Sequence, residues 1–205
     1  MTRRTDSRHA ILAAAATEFA RRGYAGANVD RIARAARLNK AIIYYHFRSK
    51  AALYREILKD MFDAVLARVR DVVASDAAPD AKVRAFIEAI AIEGEARPHF
   101  PAIWLREIAE GGEHVDAATL GYARDVLVAL GRIIEEGRRK GRFHSANPML
   151  VQAGIIAPVM FFLATAGVRR KLERAGARGA STISQADLVR HIQRVTLAVL
   201  EGRLA

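Results

Sequence analysis

Hydrophobic residues recur along this chain at intervals of three and four, the spacing of one face of an α-helix. Two short faces of this kind lie close together near the N-terminus. One runs over Val29–Ala36, and the other pairs Ile43 with Phe47. Each is preceded by an asparagine, Asn28 or Asn39, a residue type that caps helix N-termini. The stretch is therefore predicted to be two short helices joined by a tight turn, a helix-turn-helix.

The helical pattern continues through the rest of the chain, and no alternating run is long enough to indicate a strand. A first helix is predicted over Arg8–Arg22, and a long helix capped by Ser49 is predicted to reach Ala74. The remaining predicted helices are Asp80–Glu93, Phe100–Glu110, Ala117–Lys140, Pro148–Leu172 and Gln185–Arg203. The predicted fold class is therefore all-α.

Two domains are expected, an N-terminal three-helix domain over 1–50 and a larger helical bundle over 51–205, joined by the long helix. Residues 1–7 are expected to be a mobile arm, as chain termini often are. Charge divides along the same line. Residues 1–50 hold 11 Lys and Arg against three acidic residues, a net charge of +8, whereas 51–205 hold 22 against 19 and contribute only +3. A basic helix-turn-helix module favours DNA as its partner, although a packing unit with a solvated basic face has similar charge.

These residues also carry a family resemblance. The matching segments are Gly23-Tyr24, Asn28-Val29-x-x-Ile32-Ala33, Leu38-Asn39-Lys40 and Ile43-Tyr44-Tyr45-His46-Phe47-x-Ser49-Lys50-x-x-Leu53. Together they resemble the DNA-binding domain of the TetR/AcrR family of transcriptional regulators, from about Ser7 to Leu53. The resemblance implies a second domain that binds a small ligand and dimerises.

The resemblance also implies which side chains contact double-stranded DNA. Lys40 and Ala41 match positions that reach base edges, and Tyr45 matches one that lies near the bases. The positions that contact the phosphate backbone are matched by Tyr44, His46 and Lys50. The alternative for the tyrosines is packing inside the small domain, and His46 has the alternative of a local packing or capping role.

Three positions depart from the family pattern. Arg37 stands where the turn usually has glycine, so a side chain is expected in a left-handed conformation at some steric cost. Ala41 replaces the usual glycine of the second helix, and Ile42 replaces a threonine whose hydroxyl contacts phosphate. The fold is expected to tolerate these changes, but an operator sequence cannot be transferred from a relative.

The region between Ser145 and Val168 has no charged residue and is long enough to span a bilayer. It also contains Pro158, glycines and polar residues, so it is predicted to be a helix buried on two sides rather than a membrane span. In the TetR family the last two long helices form the homodimer interface. The resemblance therefore implies a homodimer through helices 148–172 and 185–203, with no membrane partner.

A small-molecule effector is implied by the resemblance as well. The residues that would line its cavity are Phe86, Phe100, Trp104, Glu107, Tyr122, Phe161 and Phe162. Aromatic residues at helical spacing are also the ordinary content of a hydrophobic core, and this alternative stays open for each of them.

Enzyme chemistry has little support in the sequence. The chain has no cysteine, no glycine-rich phosphate loop after a strand, and no nucleophile-elbow serine. Glu107, Glu110, Glu113 and His114 form an acidic cluster, but Gly111-Gly112 is expected to break the helix before the histidine. No metal, cofactor or catalytic residue is therefore predicted, and the expected location is the cytoplasm, given that the N-terminus does not resemble a signal peptide.

The predicted function is a ligand-responsive, sequence-specific DNA-binding transcriptional regulator, a repressor that a small molecule releases from a palindromic operator. Two alternatives remain: a non-specific DNA-binding protein, and a helical protein that binds small molecules without regulated operator binding.

Overall fold

A computed structural model of the protein describes the backbone of residues 2–203 and the side chains of residues 6–203. The described chain is helical and contains no strand. The helices are α1 (Thr2–Gly26), α2 (Val29–Ala35), α3 (Lys40–Phe47), α4 (Lys50–Ala74), α5 (Pro79–Ala96), α6 (Phe100–Ala109), α7 (Ala117–Arg139), α8 (Pro148–Ala164), α9 (Ala166–Arg174) and α10 (Gln185–Leu200). The predicted all-α fold is confirmed.

Helix α1 begins at Thr2 rather than at Arg8, so the segment expected to be an arm is helical from residue 2 onward, while Met1 lies outside the described residues. The regular helix breaks at Gly23, as predicted, because this glycine has φ 69° and ψ 178°. On the inner face of α1, Ile11, Ala15 and Phe19 are fully buried.

The chain forms two compact units whose limits differ from the predicted domains. The first unit contains 1–62 together with 99–120, and the second contains 63–98 together with 121–205. Helix α6, predicted to belong to the C-terminal bundle, therefore belongs to the N-terminal unit, where it packs on α1. The division of DNA binding to 1–50 and ligand binding to 51–205 stays a prediction.

The second unit is built on α5, α8 and α10, which pack against one another. Its core contains Phe86 and Ile87 from α5, Ile155 from α8 and Leu197 from α10, all fully buried. Gly94 lets α5 approach α8 closely, since a larger residue there would require the Leu163 side chain to move. A Cβ atom on Gly94 would lie 2.7 Å from a methyl carbon of Leu163.

The prediction of a single helix over Pro148–Leu172 is wrong. The structure has two helices there, α8 and α9, with a bend of 59° between them. At the break, the Thr165 hydroxyl donates to the Phe161 carbonyl at 2.6 Å, and the Arg169 guanidinium donates to the Phe162 carbonyl. The Phe161 carbonyl also accepts a 3.0 Å bond from the Thr165 amide, whereas the Phe162 carbonyl, which a continuing helix would pair with the next amide, is bound by the Arg169 guanidinium. No single helix in residues 2–203 is long and apolar enough to cross a membrane; only the bent pair meets that condition by length and composition.

Candidate nucleic-acid interface

The two helices of the helix-turn-helix are each fixed by an asparagine cap. The side chain of Asn28 accepts a 2.7 Å hydrogen bond from the Asp30 amide, and the side chain of Asn39 accepts a 2.9 Å bond from the Ala41 amide. Each bond satisfies an amide at a helix N-terminus that has no partner within the helix. The predicted caps are confirmed, and they set the starting point of both helices.

The turn between these helices closes with two backbone hydrogen bonds. The Leu38 amide donates to the Ala33 carbonyl at 3.0 Å, and the Arg37 amide donates to the Arg34 carbonyl at 3.1 Å. This is the Schellman arrangement, in which the residue after the C-cap takes a left-handed conformation. Arg37 has φ 55°, so the predicted left-handed side chain at this position is confirmed.

Helix α3 buries one face and exposes the other. Ile43 and Phe47 are 2% and 6% exposed and hold the helix on the unit. On the outer face Tyr44 is 41% exposed and Tyr45 is 72% exposed. Lys40 and Ala41 are exposed as well, whereas His46 is half-buried and its ring lies 5.4 Å from that of Tyr45. Five of the six residues predicted to contact DNA therefore reach the surface of this helix, and both tyrosines lie outside the core.

Lys50, the sixth predicted DNA contact, is placed differently. Its ammonium group donates to the Tyr24 carbonyl at 2.8 Å and to the Ala27 carbonyl at 3.3 Å, and lies 4.5 Å from the centre of the Tyr24 ring. A cation at carbonyls that end a helix is electrostatically favourable. In the structure Lys50 therefore ties the start of α4 to the end of α1.

An acidic residue stands beside the outer face of α3. Both carboxylate oxygens of Asp30 lie 3.0 Å from the Lys40 ammonium nitrogen. The hydrogen bond and charge of Asp30 raise the pKa of the Lys40 ammonium group. Below this surface, Glu18 accepts hydrogen bonds from the Asn28 amide and the Arg31 guanidinium, which lower the pKa of its carboxyl group against the opposing effect of burial.

This surface lies within a region that matches known regulators. The sequence model described as bacterial regulatory proteins of the tetR family matches residues 11–57. The transcriptional repressor SCO4008 of Streptomyces coelicolor is 47% identical over 57 residues, which are 27% of this chain and 30% of the relative. Residues 11–57 therefore match the tetR-family DNA-binding region. The transcriptional activator FasR of Mycolicibacterium smegmatis is 35% identical over 86 residues, 42% of this chain and 39% of the relative. The matched segments thus span about a third of the length of each curated relative.

The fold of the whole chain has solved counterparts. The crystal structure of the regulator PfmR from Thermus thermophilus superposes with a TM-score of 0.72, over 93% of this chain and 98% of that chain. The two sequences are 23% identical, so the likeness establishes a shared fold.

The residues predicted to bind an effector are divided between the two units. In the first unit, Phe100 and Trp104 lie with ring centres 6.0 Å apart, and both rings contact Phe62. Glu107, only 1% exposed, accepts 2.7 Å hydrogen bonds from the Tyr54 hydroxyl and the His114 amide. These three predicted residues therefore belong to helix α6, which packs on α1.

The other four predicted residues lie in the second unit. Phe86 is fully buried in the core, and Tyr122 is half-buried. Phe162 is covered by the Arg169 guanidinium, which lies 3.7 Å from the ring centre. Phe161 is 65% exposed and projects from the surface of α8. A common pocket for the seven residues stays a prediction.

The acidic cluster at the end of α6 is closer together than the sequence indicates. Gly111 and Gly112 have φ 76° and 79°, and they turn the chain so that the His114 amide reaches Glu107. Ligand atoms of Glu107, Glu110 and His114 then lie within 4.8 Å of one another. The glycines were correctly predicted to end the helix. The chain can turn back toward α6 only because two consecutive residues adopt left-handed conformations. The Gly111-Gly112 pair was the sequence feature that could have predicted this turn.

Proposed function

We propose that the protein is a homodimeric, ligand-responsive transcriptional regulator that binds a palindromic DNA operator and acts as a repressor. The observation that carries the proposal is the exposed face of α3, where Lys40, Tyr44 and Tyr45 project from a helix held by its cap and its buried face. An exposed second helix of this kind is the part of a helix-turn-helix that enters the major groove. The net charge of +8 over residues 1–50 supplies attraction to phosphate.

Dimerisation is supported by an apolar surface on the second unit. Along α8 the exposed residues recur at helical spacing, and they are Leu150, Ala153, Gly154, Ala157, Phe161 and Ala164. Val195 and Val199 of α10, a helix packed on α8, are 43% and 46% exposed. Exposed apolar residues grouped on one helix favour association, and the small residues among them permit close approach of a second helix. Two-fold pairing would present two recognition helices to a palindrome with half-sites about one DNA turn apart, or a multiple of it.

We favour repression over activation because the relative with 47% identity is named a repressor. FasR is named an activator, so the sign needs its own measurement. A reporter gene placed behind the selected operator gives it directly. Transcription in the presence of the protein should fall, and a rise would make the protein an activator.

Selection of bound duplexes from random DNA tests the main proposal. The expected product is a palindrome, enriched by the wild-type protein and altered at defined positions by Lys40→Ala. An Arg178→Ala variant, which removes a positive charge from an exposed loop residue of the second unit, is the matched control and should select the same sequence. Tight binding without any enriched sequence would instead support the non-specific DNA-binding alternative.

The dimer has a separate test. Leu150→Glu and Phe161→Glu place charges on the α8 surface and should convert the protein to a monomer in light scattering. Ile92→Glu is the control, since Ile92 is 46% exposed but lies on α5. A wild-type monomer at micromolar concentration would contradict the proposed dimer.

Effector response is tested through thermodynamic linkage. If an effector weakens operator binding by a given factor, operator DNA must weaken effector binding by the same factor. Compounds that raise the melting temperature supply the ligands for this measurement. Equal effector affinities with and without operator would show a bound ligand that does not control DNA binding.

A further inference from the structure

Asp30 is the one acidic residue within 1–50 that stands beside the proposed DNA-reading face. Of the other two acids in that region, Asp6 lies in the first turns of α1, and Glu18 is only 12% exposed and is paired with Arg31. The Asp30 side chain is 55% exposed. A carboxylate on a surface that approaches phosphate weakens binding to every DNA sequence, so its presence there has an electrostatic cost.

The position of Asp30 is fixed by the structure around it. Its amide is held by the Asn28 cap, and Asn28 is held in turn by the Glu18 carboxylate on α1. Arg31, the next residue, donates to Glu18 and to the Gly26 carbonyl. The start of α2 is therefore tied to α1 on the inner side, which leaves the Asp30 carboxylate facing the start of α3.

Lys40 is the residue that this carboxylate holds. Lysine has a flexible side chain whose ammonium group is free to reach phosphates in many directions, and it has three N–H donors. Both oxygens of Asp30 lie 3.0 Å from the Lys40 nitrogen. The ammonium group is thereby held over the first turn of α3, and it retains N–H capacity for a further acceptor.

We propose that Asp30 is a positioning residue for sequence recognition, which holds the Lys40 ammonium group so that it donates to guanine O6 or N7 rather than to the DNA backbone. The inference rests on the proposed DNA-binding function. Guanine presents two acceptors in the major groove, and lysine is one of the side chains that read them. Asp30 thus lowers general affinity and raises the selectivity of Lys40.

The test is a double-mutant cycle in which the measured quantity is the preference for one base pair over the others at each operator position. Asp30→Asn, Lys40→Ala and the double variant are measured by fluorescence anisotropy against the selected operator. The duplex set includes every substitution at each position and one unrelated sequence. Lys40→Ala should lower the preference for one G·C pair in each half-site by about fivefold or more. Asp30→Asn should lower the same preference by about two- to fivefold, the range of an exposed ion pair.

Asp30→Asn should also strengthen binding to the unrelated sequence and steepen the salt dependence by up to about one unit, because the released ammonium group reaches a phosphate. In the Lys40→Ala background, Asp30→Asn should have no effect on base preference. Asp71→Asn removes an exposed carboxylate from α4 and controls for net charge alone, so it should leave base preference unchanged.

The two possible failures are distinguishable. If wild-type protein selects no sequence, the proposed function fails and Lys40→Ala will have no preference to alter. If wild-type protein selects an operator and Lys40→Ala relaxes it, but Asp30→Asn keeps the full preference, the positioning role of Asp30 is wrong. An equal loss of preference from Asp30→Asn in both backgrounds would likewise overturn it, because Asp30 would then act independently of Lys40.

Discussion

The Lys50 ammonium nitrogen lies 2.8 Å from the Tyr24 carbonyl oxygen, which joins the first residue of α4 to the last turns of α1. The Tyr24 ring continues the connection within the same unit. It lies against the His114 ring with centres 4.0 Å apart and planes tilted by 33°, and it forms an edge-to-face pair with the Tyr54 ring at 5.1 Å. The end of α1 is therefore held by a cation on one side and by aromatic rings on the other.

Replacing Lys50 with methionine should destabilise the protein by about 1–2 kcal/mol, because two carbonyls lose a charged donor and the Tyr24 ring loses its cation. Urea denaturation followed by far-ultraviolet circular dichroism gives this number. Lys171→Met is the control, since Lys171 is exposed on α9 and its replacement should change stability by less than about 0.5 kcal/mol. Equal effects of the two substitutions would contradict the structural role of Lys50.

The same variant separates this role from the phosphate contact that the resemblance implies. If Lys50 also contacts a phosphate, the salt slope of operator binding should fall by about one unit when only folded protein is counted. If the lysine keeps its contacts to Tyr24 and Ala27 on DNA, the slope should stay unchanged. Operator-binding titrations of the wild-type protein and the Lys50→Met variant at several salt concentrations distinguish these two roles of Lys50.

Arg37→Gly should stabilise the protein by about 0.5–1 kcal/mol. A side chain at φ 55° carries a steric cost of about 1–2 kcal/mol that glycine avoids, and the greater freedom of glycine in the unfolded chain offsets part of the gain. Arg34→Gly removes the same charge from inside α2 and should cost about 1 kcal/mol. Thermal unfolding of both variants checks the opposite signs. A destabilised Arg37→Gly protein would mean that Arg37 makes contacts that outweigh its backbone conformation.

The features that sequence predicted well are local ones. Asn28, Asn39 and Ser49 act as caps, and Arg37 is left-handed, because capping and turn chemistry depend on residues only a few positions apart. The end of α4 at Ala74 was predicted for the same reason. These local rules were sufficient to place the helix-turn-helix and the outer face of α3.

Features that depend on distant residues were not predictable in this way. The placement of Lys50 depends on carbonyls of α1 more than twenty positions away. The break after α8 is accompanied by hydrogen bonds from Thr165 and Arg169 to carbonyls only four and seven positions away, but the continuous hydrophobicity of the segment did not indicate it. Phe86 and Phe161 are chemically alike in sequence, yet one is fully buried and the other is 65% exposed, because burial is decided by which helices pack together.

Tyr54 should make the protein sensitive to alkaline pH. Burial and the hydrogen bond to the Glu107 carboxylate raise the pKa of the Tyr54 hydroxyl far above its ordinary value. The unfolded chain therefore loses this proton at about pH 10 while the folded protein keeps it, so stability falls as pH rises above that point. Urea denaturation between pH 8 and about pH 11 should show the decrease, and Tyr54→Phe should remove much of it.

At neutral pH the same Tyr54→Phe variant should be less stable by about 1–3 kcal/mol, since the buried Glu107 carboxylate loses a donor. Tyr45→Phe is the control, because Tyr45 is 72% exposed. A tyrosine ultraviolet titration in which all tyrosines of the folded protein ionise together near pH 10 would contradict the protected hydroxyl.

Glu136 should contribute stability that is lost in acid. Its carboxylate accepts a 2.7 Å hydrogen bond from Lys140 and a 2.8 Å bond from Lys82, and these lower its pKa from 4.5 to about 2. Because the folded pKa is depressed, the contribution is present above pH 4.5 and disappears as pH falls toward 2. Denaturation midpoints measured across that window should fall for the wild-type protein and fall less for Glu136→Gln.

The glutamine variant should also be less stable at pH 7, because Lys82 is 5% exposed and its ammonium group would lose the compensating negative charge of Glu136. Glu113→Gln is the matched control, since Glu113 is exposed in the turn after α6. Carboxyl resonances followed by NMR report the titration of Glu136 directly. A Glu136 midpoint near 4.5 in the folded protein would show that the two lysines do not hold its carboxylate in solution.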